Sequence, residues 1–444
     1  MLTSPAVGHP GPQELADAVR AQREVAALAL DERLERVAAS RRALEAAGEE
    51  VVDLAVRELG QARRFARREL RSALLLLDAL PRMAEAIRPR PVPAAAGSTR
   101  LEWWPYGVVF GWHAANSPVW VPVAIAGQAL VGGNALLSRP SRRARATSGR
   151  ALRALAGAWP AGAVSVLAGE DPAADEALVA HPQVGAVVAH ASTQTCKRQL
   201  ARLGAAYAAG APLRPYIPEA SGNDALVVLA GADMERAAAA AALGGFANSG
   251  QLCMAAKRLV VERAAWAAFR PALERAVGAL VLGDPDSERT DVAPLPEGRA
   301  RADARAALAE ALALGGEVVL GRGEQGPFFT PTVVALPRRA LDASLWREES
   351  FAPLRALVLA DDAADALALA NDSAFGLGAA VFAPAGAEAE RLVAGLRAAR
   401  VVVGESPLYQ DPELVVGGVG DSGLGGARPK LEQLVWARRV HRAP

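Results

Sequence analysis

From Glu14 to about Arg88, leucine, valine and alanine recur at spacings of three and four between arginines and glutamates. That period predicts amphipathic helices, with Leu54, Val56, Leu59, Leu70 and Leu74 to Leu77 turned inward and the arginine-rich sides in water. The run Pro89-Arg90-Pro91-Val92-Pro93 ends them, because proline lacks an N–H and restricts the residue before it. Ala94 to Trp104 reads as an extended excursion. Short apolar runs then alternate with helical stretches, at Gly107 to Phe110, Asn134 to Leu137, Val164 to Leu167 and Gly185 to Val188. Such alternation predicts a parallel sheet covered by helices on both faces, with ligands at the carboxyl ends of its strands. A second α/β unit is expected from Asp224 to about Gly404. Its strands lie at Asp224 to Val228, Leu259 to Val261, Glu317 to Val319 and Ala356 to Val358, and Glu235 to Phe246 forms a helix.

A chain of 444 residues is too long for one core and should divide into two or three lobes. Its net charge of +1 makes no general electrostatic case for nucleic acid or an anionic membrane. Val119 to Leu137 is uncharged and approaches the length of a membrane span. It contains Gln128, Asn134, Pro122 and three glycines, however, and reads instead as a buried helix flanked by strands. Met1 to Gln13 has no basic cluster followed by an apolar run, so no secretory signal is expected. Two cysteines form no disulfide framework and point to a reducing compartment, the cytoplasm.

One of those cysteines lies in Asn248-Ser-Gly-Gln-Leu-Cys253-Met-Ala-Ala-Lys257-Arg258. Gly250 permits a tight turn, and the two basic residues supply positive charge near a thiol that reacts only as the thiolate. By itself a lone cysteine is more often packed in a core.

Its surroundings change that weighting. Gly250-Gln251-Leu252-Cys253 followed by Arg258 resembles the nucleophile motif of the aldehyde dehydrogenase superfamily. Pro218-Glu219-Ala220-Ser221-Gly222-Asn223 is similar to its glutamate motif, and the interval of thirty-four residues between Glu219 and Cys253 is the family's. Gly132-Gly133-Asn134 leading to Arg139-Pro140-Ser141, Glu348-Glu349-Ser350-Phe351-Ala352-Pro353, Asn371-Asp372-Ser373 with Phe375-Gly376-Leu377, and Gly417 to Gly425 follow in the family's order.

The resemblance implies an α/β fold with a Rossmann-type parallel-sheet cofactor domain (1–93 and 105–223). It also implies an α/β catalytic domain (224–410) and a small oligomerisation arm (94–104 and 431–444). In the arm, Ala94 to Trp104 would pair with a strand at Leu434 to Val440, giving a homodimer or homotetramer; the other reading is a surface loop with a frayed tail. The implied reaction is NAD(P)-dependent oxidation of an aldehyde to its acid, on a small-molecule substrate and with no metal. Cys253 would attack the carbonyl and Asn116 would donate to the oxyanion, a contact typically worth about 3 to 4 kcal/mol. Glu219 would activate the water that releases the thioester. Arg139 and Arg142 would meet the adenine ribose, Ser192 the pyrophosphate, Glu349 the nicotinamide ribose and Phe351 the ring. Arg142 stands where NAD-preferring members often carry glutamate, so NADP is favoured over NAD. Arg143, Arg145, Lys197 and Arg198 would add positive potential.

Several positions depart from the family pattern. Ala191 and Cys196 replace two loop glycines and are expected to crowd the pyrophosphate. Ile125 stands where many members place a lysine thought to assist proton relay. Ala352 replaces a glycine, and Ala220-Ser221 replace Leu-Gly beside Glu219. Trp120, Val121, Phe246, Leu252, Met254, Leu408 and Tyr409 are expected along the substrate tunnel. That set is apolar and has no evident arginine, favouring an aliphatic or aromatic aldehyde over a semialdehyde acid. Two alternatives remain: an acylating enzyme that exchanges the thioester with coenzyme A, and a non-catalytic cofactor-binding relative.

Overall fold

The computed structural model describes residues 12–167, 171–296, 298–409, 411, 417–425 and 430–443. The N-terminal periodicity resolves into four helices: α1 (Gln13–Ala27), α2 (Leu30–Ala46), α3 (Gly48–Leu59) and α4 (Arg63–Met83). In α4 the inward face is Ala66, Leu70, Ala73, Leu76, Leu77 and Leu80, but Leu75 is half exposed. Four successive leucines turn through most of a helix circumference, so the expectation that all of Leu74 to Leu77 face inward cannot be met.

The apolar stretch after Asn116 is α5 (Trp120–Val131), with every residue after Trp120 buried. It lacks a polar face because it lies between α4 and the first sheet. Gly127 lets α4 approach so closely that a Cβ there would press on Leu77 and Leu80. Among the described residues no helix is long and apolar enough to cross a membrane.

The first sheet has five parallel strands in the spatial order Val164–Val166, Ala135–Arg139, Val108–Trp112, Val184–His190, Tyr216–Glu219. The chain runs outward from Val108–Trp112 in one direction and then restarts on its other side. The switch point falls between Trp112 and His190, where open α/β sheets form a ligand crevice. The second sheet has seven strands, from Glu317–Leu320 at one edge to Arg400–Val403 at the other, with Ala256–Glu262 and Asp224–Val228 central. Only the pair Glu317–Leu320 and Thr332–Ala335 is antiparallel. A three-stranded sheet joins Arg90–Val92, Ser98–Pro105 and Val435–Arg442. The last two pair antiparallel over eight residues, from Val435 opposite Pro105 to Arg442 opposite Ser98. The described C-terminal residues are therefore a paired strand, not a frayed tail.

Candidate active site

A cleft of about 880 Å³ opens between the two large sheets. Its walls carry Cys253, Asn116, Glu219, Ser192, Glu349 and Phe351, six side chains from five separate stretches of chain. Arg139 and Arg142 are not among its lining residues, whereas Arg143 is.

The loop carrying Cys253 leaves the helix Met234–Phe246 and enters the central strand Ala256–Glu262. Asn248 (φ 51°, ψ 38°) and Ser249 (φ 54°, ψ 34°) are left-handed, a conformation that costs a side-chain-bearing residue roughly 1–3 kcal/mol. Their side chains hold it: Asn248 Nδ2 donates to the Asn116 carbonyl (3.2 Å), and Ser249 Oγ donates to the Ala293 carbonyl (2.9 Å). Gly250 is also left-handed (φ 74°), and a Cβ there would collide with the Ala352 carbonyl. Arg355, fully buried, donates to the carbonyls of Gly245 (2.7 Å) and Gly250 (3.1 Å), bracketing the loop. Burial pulls its guanidinium down to about 9.

The two basic residues after Cys253 diverge. Lys257, buried, turns back and donates to the carbonyls of Leu252 (2.7 Å) and Cys253 (2.6 Å), with Glu349 Oε1 3.4 Å away. Arg258 faces the other side of the strand, where it binds the carbonyls of Asn223, Leu369 and Ala370 and lies over Trp346. The expectation that Arg258 supplies charge to the thiol is therefore corrected: neighbouring residues on a strand face opposite ways. Burial pushes the Cys253 thiol up to about 12, with Lys257 acting against it and Glu349, Glu219 and Asp224 adding to it.

Glu219 closes the edge strand Tyr216–Glu219 and is 6 % exposed. Its Oε1 accepts from Lys430 Nζ at 2.7 Å, and its buried Oε2 has no hydrogen-bond partner among the described residues. Burial raises its carboxyl above the ordinary range, opposed by Lys430 and Arg400. The segment is tied to the glycine-rich loop: Ala220 N–H donates to the Ser422 carbonyl and Ser422 Oγ to the Ser221 carbonyl. Gly423 allows that contact, since a Cβ there would meet the carbonyls of Gly418 and Pro218.

Asn116 sits on the loop before α5, at the carboxyl end of Val108–Trp112. Glu69 of α4 fixes that loop. Its Oε1 accepts from Ser117 Oγ and from the N–H groups of Val119 and Trp120, each at 2.8 Å, at the positive end of α5. Sequence reasoning missed Glu69; the available signal was a carboxylate interrupting the inward stripe Ala66, Leu70, Ala73.

On the cofactor side, Ser192 caps the sixteen-residue helix Thr193–Ala208, its Oγ accepting from Thr195 N–H while Thr193 N–H donates to Ser221 Oγ (3.4 Å), and the positive end of that helix lies at the cleft wall. His190, just before it, lines the cleft with both ring nitrogens buried and without hydrogen-bond partners among the described residues. These groups, with Arg143 and the Glu349 carboxylate, fit a polar dinucleotide lying across the switch point. Arg139 is held by Asp175 (2.9 Å) and stacked on Trp112, 4.3 Å from the ring centre. Arg142 lies exposed in the turn Arg142–Ala144. Lys197 pairs with Asp421 and Arg198 with Glu176, so the positive potential expected from them is largely neutralised. Cys196 does not crowd this site: it faces inward, buried against Ala189 and Ala220, because the fourth residue of the helix turns toward the sheet. Ala191 does line the cleft.

The family model for the aldehyde dehydrogenase family matches residues 12–435. The chain belongs to that family. It is 30 % identical over 402 residues to a succinate semialdehyde dehydrogenase [NAD(P)+] of Escherichia coli, covering 89 % of this chain and 85 % of the relative. It is 34 % identical over 404 residues to an NADP(+) succinate-semialdehyde dehydrogenase of Deinococcus radiodurans, covering 88 % and 82 %. The solved NAD-dependent aldehyde dehydrogenase of Sinorhizobium meliloti superposes with a TM-score of 0.89 at 25 % identity, covering 97 % of this chain and 86 % of that one. Oxidation of an aldehyde with a nicotinamide dinucleotide is thus the reaction class of this dehydrogenase.

The dehydrogenase's substrate wall differs from its sequence reading. Trp120, Val121, Leu252, Met254 and Leu408 line the cleft as expected. Phe246 lies instead in the core beneath Arg355, and Tyr409 is half exposed and does not line the cleft. Arg68 of α4 reaches the rim, its Nη2 donating to the Leu408 carbonyl (3.5 Å), and Arg299 also lines the cleft. Neither arginine was evident in the sequence as part of the tunnel.

Proposed function

We propose that the protein oxidises an aldehyde to the free acid through a thioester on Cys253, with NADP or NAD as hydride acceptor. The observation that carries the reading is the convergence of Cys253, Asn116 and Glu219 on one cleft between the sheets. Cys253 Sγ gives its proton to solvent water in the cleft and bonds to the carbonyl carbon as the C=O π pair moves onto oxygen, where the Asn116 side-chain amide donates to the developing oxyanion. A nicotinamide dinucleotide held in the cleft would supply the hydride acceptor that lets the adduct collapse to a thioester. Glu219 then removes a proton from water as its oxygen bonds to the acyl carbon. The C–S bond breaks with its electron pair returning to sulfur. A carboxyl lifted by burial toward neutrality suits that base. Ser192, Glu349 and Phe351 hold the cofactor, with Arg139 and Arg142 at its adenosine end.

Residues 1–93 and 105–223 act as the cofactor-binding domain, 224–410 as the catalytic domain, and 94–104 with 431–444 as the arm. Half-exposed Trp104 and Trp436, 6.1 Å apart on the paired arm strands, support a homodimer or homotetramer. The enzyme works in the cytoplasm.

The test follows nicotinamide absorbance over a panel of aldehydes with NAD and NADP, with and without coenzyme A. Turnover without coenzyme A is expected; turnover only with it would replace this reading by the acylating one. NADP should be preferred. Arg142→Glu should lower the NADP-to-NAD ratio of kcat/KM by about tenfold or more through loss of a charge-assisted pair with the 2′-phosphate. Equal constants for the two cofactors, unmoved by the substitution, would sink that preference.

A second reading of the substrate is favoured by the rim arginines. The Escherichia coli and Deinococcus radiodurans relatives are succinate semialdehyde dehydrogenases, and Arg68 offers its guanidinium to a distal carboxylate. Arg68→Met should raise KM for succinate semialdehyde by about tenfold, the order of one exposed charge-assisted hydrogen bond. KM for benzaldehyde should stay within about twofold. A parallel rise for both substrates would return the choice to an uncharged aldehyde.

A further inference from the structure

Lys430 forms a buried ion pair with the residue that releases the product, and nothing in the resemblance assigns it a role. The pair is 2.7 Å long, with the side chains of Lys430 and Glu219 only 4 % and 6 % exposed. Lys430 begins the short helical turn Lys430–Gln433, which docks on α5 through the Leu431 N–H to Gln128 Oε1 (3.0 Å). Gln128 lies one turn beyond Ile125, the position at which a lysine is expected from the family. Ile125 is fully buried among apolar side chains. An ammonium is thus brought to Glu219 from the far end of the chain, beside the helix that lacks it.

The charges around Glu219 single out this lysine. Arg400, on the second sheet, is committed to the carbonyls of Tyr409 and Pro407 and acts on Glu219 only through space. His190 stands opposite Glu219 in the strand register, and burial with the Lys430 charge holds it neutral near pH 7. Cys196 and Cys253 also feel the carboxylate; burial raises both thiols, and the Glu219 charge adds to that. Among the described residues only Lys430 is hydrogen-bonded to the carboxylate, and at one oxygen. The other, Oε2, is buried and without a hydrogen bond among the described residues, and Glu219 lines the cleft that holds the nucleophile. Breaking a buried pair from one side leaves an uncompensated charge, which a carboxylate escapes by taking up a proton. A protonated Glu219 cannot accept a proton from water.

We propose that Lys430 is the positioning residue of deacylation: it keeps Glu219 ionised and anchors Oε1, so that Oε2 receives the proton of the attacking water. The proposal rests on the hydrolytic reading above. It is tested on the full-length enzyme without cofactor, using p-nitrophenyl acetate, which acylates Cys253 with release of p-nitrophenolate. The burst reports acylation and the steady state reports deacylation.

In Lys430→Met the burst amplitude should be kept, while the steady state falls about ten- to a hundredfold at pH 7. A carboxyl that has lost its ammonium ionises at higher pH, so the lost rate should return as pH rises, with the midpoint displaced upward by about one unit or more. The acetylated enzyme should accumulate by mass spectrometry. Lys430→Arg should keep the wild-type midpoint. Where the methionine variant does not fold, Lys430→Gln is judged by the same criteria. A wild-type midpoint in the uncharged variants, or burst and steady state falling together, would overturn the proposal and leave Lys430 a packing residue. Glu219→Gln separates the two levels: if it deacylates as fast as wild type, the hydrolytic assignment of Glu219 fails, and the Lys430 proposal with it.

Discussion

Replacing Cys253 with alanine should reduce aldehyde oxidation by about a thousandfold or more, the order expected when a covalent nucleophile is removed. The cofactor should still bind, because Ser192, Glu349 and Phe351 are untouched. Binding of NADPH, followed by its fluorescence, checks that. Retained turnover in Cys253→Ala would exclude the thioester route. The wild-type thiol adds a pH dependence with a definite sign. Burial raises it to about 12, so the thiolate is scarce at neutral pH and its fraction grows with pH. Alkylation of Cys253 by iodoacetamide in the cofactor-free enzyme should therefore rise by about tenfold per unit between pH 7 and pH 10, without a plateau. A plateau near pH 8 would show that Lys257 outweighs burial.

The second large effect is expected from Glu219→Gln. The amide keeps the shape but cannot accept a proton from water, so acylation and hydride transfer should proceed once and stop. Rapid mixing should show a burst approaching one reduced cofactor per active site. The steady state after it should be lower than wild type by about a hundred- to ten-thousandfold, the range of a general base. Added hydroxylamine should restore turnover by attacking the thioester directly. Loss of the burst itself would mean that Glu219 acts before hydride transfer, as the base that takes the Cys253 proton.

In Glu219→Gln the Lys430 ammonium is left beside a neutral amide, in a site where both side chains are nearly inaccessible. A lower melting temperature is the expected side effect, and the burst distinguishes it from lost chemistry because misfolded protein gives no burst. The same logic places Arg355 and Glu69 among residues whose loss would disturb the reaction without touching substrate. Arg355 holds the left-handed nucleophile loop at Gly245 and Gly250, and Glu69 holds the segment that carries Asn116.

The sequence by itself determined the order of the elements it located and, through the family resemblance, the three residues Cys253, Glu219 and Asn116 on which the proposed chemistry rests. Alternating apolar runs located four strands of each large sheet to within a few residues, because a buried parallel strand must be apolar on both faces. They missed Tyr216–Glu219, Thr332–Ala335, Gly378–Phe382 and Arg400–Val403. Cys253, Glu219 and Asn116 were singled out by the order and spacing of the family's motifs, since a lone cysteine is by itself more often packed in a core. Only the tertiary structure decided which charges reach them. Lys257 and Arg258 are neighbours in the chain but face opposite ways, and Lys197 and Arg198 are taken up by Asp421 and Glu176. Glu69 meets the residues it orients across about fifty positions, and Lys430 meets Glu219 across about two hundred. Contacts of that span leave no periodicity and no fixed spacing in a sequence. They arise only when two sheets and the helices on them pack, and burial then makes each lone charge find its partner.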